Sequence, residues 1–403
     1  MDDKSFAARV GSLRNKYHEL LAEDGLDKIP IREEKVRESF EAQFDAGWYP
    51  DKTLTKEEAW AAVWAEKSNR FAGHGYDDLM NRLAQEVEED IRLRGGVLPC
   101  PVYVGTWPIG YTNACAMPTG DGVLVLLSHG LISLLYQVAK VFIHSHDWLK
   151  VEAPGVDPNR TISENLGWES YGWTMQRSID ALVNIFRSYF RDGSVMTAPR
   201  QQLPKGNSLR AAQLAATLHY AERFLVAHEY THVLHEHCGP LVVYETPTGD
   251  LKDVFARSRQ QELDADELAA SLLLASCDLR GGTYRSEVDG NTRVAGIMLL
   301  FACNLFHDVI NEGVQGFTLE SSPYGTHPPA NQRAIRIFQY LERFGQEFTN
   351  MGKIVMGWAL PLSWMVAEQF HDERKKSDES YPYLRGRYQS PRDVKAPPDP
   401  NPS

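Results

Sequence analysis

From Ser208 to Cys238 the chain contains neither Gly nor Pro, and Gly239-Pro240 then closes the run, so one long helix is the structure this segment most readily takes. Within it lies His228-Glu229-Tyr230-Thr231-His232. Residues four apart share a helical face, so the two imidazoles project side by side and can hold one metal ion. Phe224, Leu225, Val226 and Ala227 precede the motif and Val233 and Leu234 follow it, which buries the helix where the imidazoles sit. Buried imidazoles need partners. Glu229, beside the first histidine, is within reach of a water on such an ion and is the candidate general base.

A second segment supplies what two histidines lack. Gln261-Glu262-Leu263-Asp264-Ala265-Asp266-Glu267 enters an apolar run through Leu272, Leu273 and Leu274, the pattern of another helix. Glu262 is the candidate third ligand. Asp266 lies one turn later on the same face, placed to accept the second ring N–H of a ligating histidine and fix its tautomer. Two His, one carboxylate and an open fourth position make a catalytic zinc arrangement, one Zn2+ per chain. Such an ion polarises a carbonyl and acidifies water, which is what hydrolysis of a peptide bond demands. His235 and His237 lie close by but at the wrong offsets, and read as surface or pocket-rim residues.

Charge narrows the partners. Lys+Arg 42 against Asp+Glu 54 gives a net charge of −12, so a protein working by neutralising phosphates would oppose its own field, and nucleic acid is excluded as the expected partner. Five cysteines, at 100, 115, 238, 277 and 303, fit neither a disulfide framework nor a Cys-rich zinc site, and read as mostly buried thiols of a reducing compartment. The sequence opens without a basic region followed by an apolar core, so the expected location is cytoplasmic. Two apolar stretches, Val123 to Ile143 and Ile354 to Ala367, are interrupted by His129, Gln137 and Lys140 or by Pro361, so no membrane span is expected.

Along the chain, residues 1–95 are charged and helical in period, with a capping-box pattern at Thr55-Lys56-Glu57-Glu58 and an apolar stripe at Leu79, Leu83, Val87 and Ile91. No chemistry is evident there. Short β-favouring runs follow at 97–107 and 123–127, separated by Thr119-Gly120-Asp121-Gly122. Helices are expected at 175–191, 208–238, 260–277, 293–311, 330–348 and 354–370, and a Pro-rich disordered tail at 385–403. The expected fold class is α+β, mostly helical, with a small β-sheet beside the motif helix.

The pairing of H-E-x-x-H with Glu262-x-x-Ala265-Asp266 resembles the gluzincin metallopeptidases of the CAAX prenyl endopeptidase and HtpX type, a zincin-like fold whose second motif is E-x-x-A-D. Asn113-Ala114-Cys115-Ala116-Met117-Pro118, with Gly122-Val123-Leu124-Val125 and Gly130-Leu131, is similar to that family's strand, turn, strand and helix. Thr326-His327-Pro328-Pro329 with Arg333 is similar to its late T-H-P segment. The resemblance implies that His228, His232 and Glu262 bind zinc, that Glu229 is the base and that Asp266 supports a ligand. It further implies that His327 faces the developing oxyanion, that Arg333 orients carboxylates or the site loop, and that Asn113, Ala114, Cys115 and Ala116 form an edge strand for an extended protein or peptide substrate.

Set against that family, 96–350 is the metallopeptidase domain, 137–207 an insertion within it, and 351–384 a C-terminal helix. The membrane helices of many relatives are not evident, which describes a soluble, divergent relative. Phage-exclusion proteases of the Lit type are a neighbouring likeness, being intracellular H-E-x-x-H proteins. Two further readings compete: an inactive metallopeptidase-like module that binds a protein partner, against which Glu229 argues, and a non-peptidase hydrolase using the same metal. Oligomeric state is not legible.

Overall fold

The computed structural model describes residues 3–23, 55–67, 76–108, 114–145, 174–192, 208–235, 251–279, 285–315, 328–343 and 346–376, with single positions between 37 and 45 and at 195 and 198. The described helices are α1 (Asp3–Glu23), α2 (Lys56–Lys67), α3 (Asp77–Leu93), α4 (His129–Ser145), α5 (Met175–Asp192), α6 (Ser208–Leu234), α7 (Leu251–Leu279), α8 (Arg285–Gln315), α9 (Ala330–Leu341) and α10 (Gln346–Lys376). The strands are β1 (Val102–Trp107), β2 (Ala114–Pro118) and β3 (Val123–Ser128). The expected class, mostly helical with a small sheet, is what the chain adopts. Cys238 lies beyond the described end of α6, and the expected Pro-rich tail at 385–403 also lies outside the described residues.

The chain forms two units, Met1–Ile132 with His219–Ile297, and Ser133–Leu218 with Met298–Ser403. In the first, the sheet order is β1-β3-β2, with β1 parallel and β2 antiparallel to β3. Val123 to Ser128 is buried throughout, as a central strand covered on both faces requires, while β2 is half-buried at the edge. Thr119 and Gly122 close the β2–β3 turn through Thr119 N–H to Gly122 O at 2.7 Å. Gly122 has no substitute there: an added Cβ would stand 2.2 Å from Pro101 O, where β1 and β3 begin to pair.

Helix α1 lies on this sheet with Leu13, Tyr17 and Leu21 against Tyr103, Leu124 and Leu126. Tyr17 fills the space that Gly105 leaves, and its hydroxyl donates to Thr106 O at 2.7 Å. Helix α3 packs on β1 and on α7. Its expected apolar stripe is real: Leu83 and Val87 are fully buried and Ile91 nearly so. The capping box predicted for α2 also forms, with Thr55 N and Oγ1 donating to Glu58 Oε2 at 2.8 and 2.6 Å. Those bonds hold the Glu58 carboxyl below the ordinary carboxylate range.

The second unit has an aromatic core. Phe142 of α4 meets Trp358 of α10 edge-on at 5.1 Å, Phe186 of α5 meets Phe306 of α8 at 5.7 Å, and Phe190 meets Phe370 at 5.8 Å. Pro329 precedes α9 and brings no capping side chain; Asp308 of α8 supplies the acceptor instead, taking the Ala330 N–H at 2.9 Å. Where one helix over 330–348 and another over 354–370 are expected, the break falls earlier, between Leu341 and Gln346, and α10 continues through Pro361. The apolar stretch from Val123 divides into β3 and α4. Among the described residues one helix, over Gly290–Glu312, is long and apolar enough to cross a membrane, and 78% of its apolar window is buried within the protein.

Candidate metal centre

The C-terminal turns of α6 carry His228 and His232 at an i, i+4 spacing, and α7 carries Glu262. Three contacts join them. The two Nε2 atoms are 3.2 Å apart, His228 Nε2 is 3.3 Å from Glu262 Oε2, and His232 Nε2 is 3.4 Å from Glu262 Oε1. The rings stand edge to face at a centroid distance of 4.8 Å. In a tetrahedral site with ligands about 2.1 Å from the ion, neighbouring ligand atoms lie roughly 3.4 Å apart. The group therefore has the size and the donor set, two nitrogens and a carboxylate, for one divalent ion.

Asp266, fully buried one turn beyond Glu262, brings Oδ1 to 3.0 Å from His228 Nδ1. That leaves Nε2 directed to the shared point, the tautomer a metal ligand needs. The electrostatics agree. Burial alone would lower the His228 pKa, but Asp266 and Glu262 outweigh it and push it up to about 10. The cavity thus favours positive charge at this imidazole, which a divalent ion can supply in place of a proton.

The two residues between the motif histidines, which the H-E-x-x-H pattern leaves unspecified, fasten the helix. Thr231, fully buried, donates from Oγ1 to His228 O at 2.7 Å and reaches Ala265 O of α7 at 3.2 Å, joining α6 to α7 beside the metal group. Tyr230, also fully buried, donates to Glu88 Oε1 of α3 at 2.8 Å. Burial and the neighbouring Glu88 raise the phenol well above its usual range, and burial raises the Glu88 carboxyl. One face of α6 meets α3 through further pairs: His219 Nε2 to Glu86 Oε2 at 3.0 Å, Arg223 to the same oxygen at 3.2 Å, and Arg223 to the buried Asp90. None of these was evident in the sequence. The one trace is an acid, Asp90, beside the apolar stripe of α3.

Glu229 is 6% exposed. Cys115, on β2, feels its carboxylate: burial first, then the Glu229 charge, push the thiol up to about 12. Ala114, Cys115 and Ala116 thus belong to a half-buried edge strand whose Cys115 stands within the field of Glu229. Of the cysteines with described side chains, Cys303 is buried, whereas Cys100 and Cys115 are half-buried, less than the sequence leads one to expect; Cys238 and the Cys277 side chain lie outside the described residues. His235 is exposed, and His237 lies outside the described residues.

Asn113 and His327 also lie outside the described residues. Arg333 belongs to the second unit, where its guanidinium sits over the Phe301 ring at 5.5 Å. A cation–π seat is a role the sequence pattern did not anticipate.

Fold and site together define a mostly helical protein with a buried His-His-Glu group able to hold a metal ion. Residues 175–355, just under half of the chain, match the family model described as Peptidase U49. No curated protein and no solved structure matches the chain. Of the two likenesses drawn from the motifs, the Lit-type peptidases are therefore better supported than the CAAX prenyl endopeptidase and HtpX type. The match takes in both motifs and also begins inside the 137–207 stretch that the latter comparison treats as inserted.

Proposed function

We propose that this protein is a zinc-dependent endopeptidase of the Lit type, acting on a protein substrate in the cytoplasm. One observation carries the reading: His228, His232 and Glu262 meet at 3.2 to 3.4 Å in a segment matching a peptidase family, with Glu229 next to the first ligand. The ion, when bound, acidifies a water and polarises the scissile carbonyl. Glu229, on the ligand helix beside His228, would accept the proton of the attacking water as its oxygen bonds the carbonyl carbon, and would return that proton to the amine as the C–N bond breaks. Asp266 keeps the His228 ring oriented. His327 is the candidate donor to the oxyanion and Arg333 a candidate orienting residue. The edge strand that begins at Ala114, with Cys115 and Ala116, would offer backbone groups to an extended substrate, and Asn113 is a further candidate contact.

Glu229→Gln tests this. It leaves the three ligands intact, so the purified variant is expected to keep about one zinc per chain while losing roughly 10²-fold or more in peptide cleavage. Equal turnover in both proteins would remove Glu229 from the chemistry. Loss of activity with a chelator and its return with zinc separates this reading from a binding module, and comparing protein termini in cells making either form identifies the substrate.

A further inference from the structure

The metal triangle draws its ligands from two helices, and α3, which lies before the matched residues 175–355, is tied to both. To α6 it presents Glu86, Glu88 and Asp90, which hold His219, Arg223 and Tyr230. To α7 it presents Arg94, just past its last turn, whose guanidinium donates to Ser271 Oγ and, at 2.6 Å, to Ser271 O. The ties have different ends. Tyr230 sits between Glu229 and His232, so its bond to Glu88 fixes the rotation of α6 about its axis. Ser271 lies nine positions after Glu262, so Arg94 fixes α7 along the helix that delivers the carboxylate.

We infer that α3 is the positioning element of the metal centre, with Glu88 acting through Tyr230 and Arg94 acting through Ser271 to hold the histidine helix and the glutamate helix at the ligand spacing. The inference rests on the metal-centre reading above. A metal site tolerates little error, because ligand groups must be held to within about half an ångström by locked neighbours. Thr231 Oγ1 to Ala265 O and His228 Nδ1 to Asp266 Oδ1 link the ligand helices directly, within one turn of each helix. Links so close together leave a pivot; the ties through α3 at Tyr230 and Ser271 brace it.

The test uses the full-length chain with Tyr230→Phe, Arg94→Ala and, as the conservative control, Glu88→Gln, whose amide oxygen still accepts from the phenol. Zinc Kd is measured by chelator competition, with kcat and KM at saturating zinc and the melting temperature alongside. Tyr230→Phe and Arg94→Ala are each expected to raise the zinc Kd roughly ten-fold and to lower kcat with KM within about two-fold, while Glu88→Gln stays near wild type. Unchanged zinc Kd and kcat in both variants overturn the inference, even if the melting temperature falls, since α3 would then serve stability alone. Variants that shift zinc Kd in a protein that cleaves nothing leave the positioning role standing and remove the peptidase reading. A wild-type chain that takes up no divalent ion removes both.

Discussion

His228 shows how much chemistry one side chain collects. Its Nε2 faces Glu262 and His232, its Nδ1 faces Asp266, and its carbonyl accepts from Thr231. Asp266 is the neighbour whose charge matters most for an ion at Nε2, because a carboxylate on Nδ1–H raises the basicity of the ligand nitrogen. Asp266→Asn keeps an acceptor of the same shape and removes the charge. It is expected to weaken zinc binding roughly 10- to 100-fold in a competition titration, and an unaltered affinity would show that the Asp266 charge contributes nothing to the ligand nitrogen. Cys115 is a contrasting case: with its pKa pushed up to about 12 it stays a thiol near neutrality and offers no thiolate nucleophile.

Among the helices and strands, the contacts at the sheet decide where α1 can sit. Tyr17 occupies the space over Gly105, and a Cβ there would stand 2.7 Å from the Tyr17 ring. Gly105→Ala is therefore expected to lower stability by roughly 1–3 kcal/mol in urea unfolding, the usual cost of overpacking. No change would mean that α1 shifts freely on the strand. The same level shows where local patterns suffice. The α2 capping box is written in Thr55 and Glu58, and the apolar stripe of α3 in a four-residue repeat, since both depend on neighbours within one or two turns. Pro361 does not end the helix expected over 354–370: a proline costs a helix one hydrogen bond and some bending, and burial of Trp358, Leu362 and Val366 outweighs that.

For the protein as a folded unit, ion binding and stability are linked through His228. Unfolded, its imidazole has the ordinary pKa near 6.5; folded without metal, Asp266 and Glu262 raise it to about 10 despite burial. The protonated ring therefore contributes stability that is full below about pH 6.5 and is lost as pH rises through about 10. A divalent ion in place of that proton would bind more strongly as pH rises over the same range, because the ligand must be neutral. Thermal unfolding across pH 6.5 to 10 is expected to show a falling midpoint with a chelator present and no such fall with saturating zinc. Parallel curves would separate His228 from the ion.

The motif helix, its two imidazoles on one face, the acid in the next helix and the mostly helical class follow from residue order, because each rests on helical periodicity or on side-chain chemistry a few positions apart. The seat of Arg333 over Phe301 and the ties from α3 to α6 and α7 belong to the folded chain. They join positions far apart in the chain, by contacts that leave no repeat or spacing to read. Glu88 and Tyr230, for instance, are 142 residues apart in sequence and share one hydrogen bond.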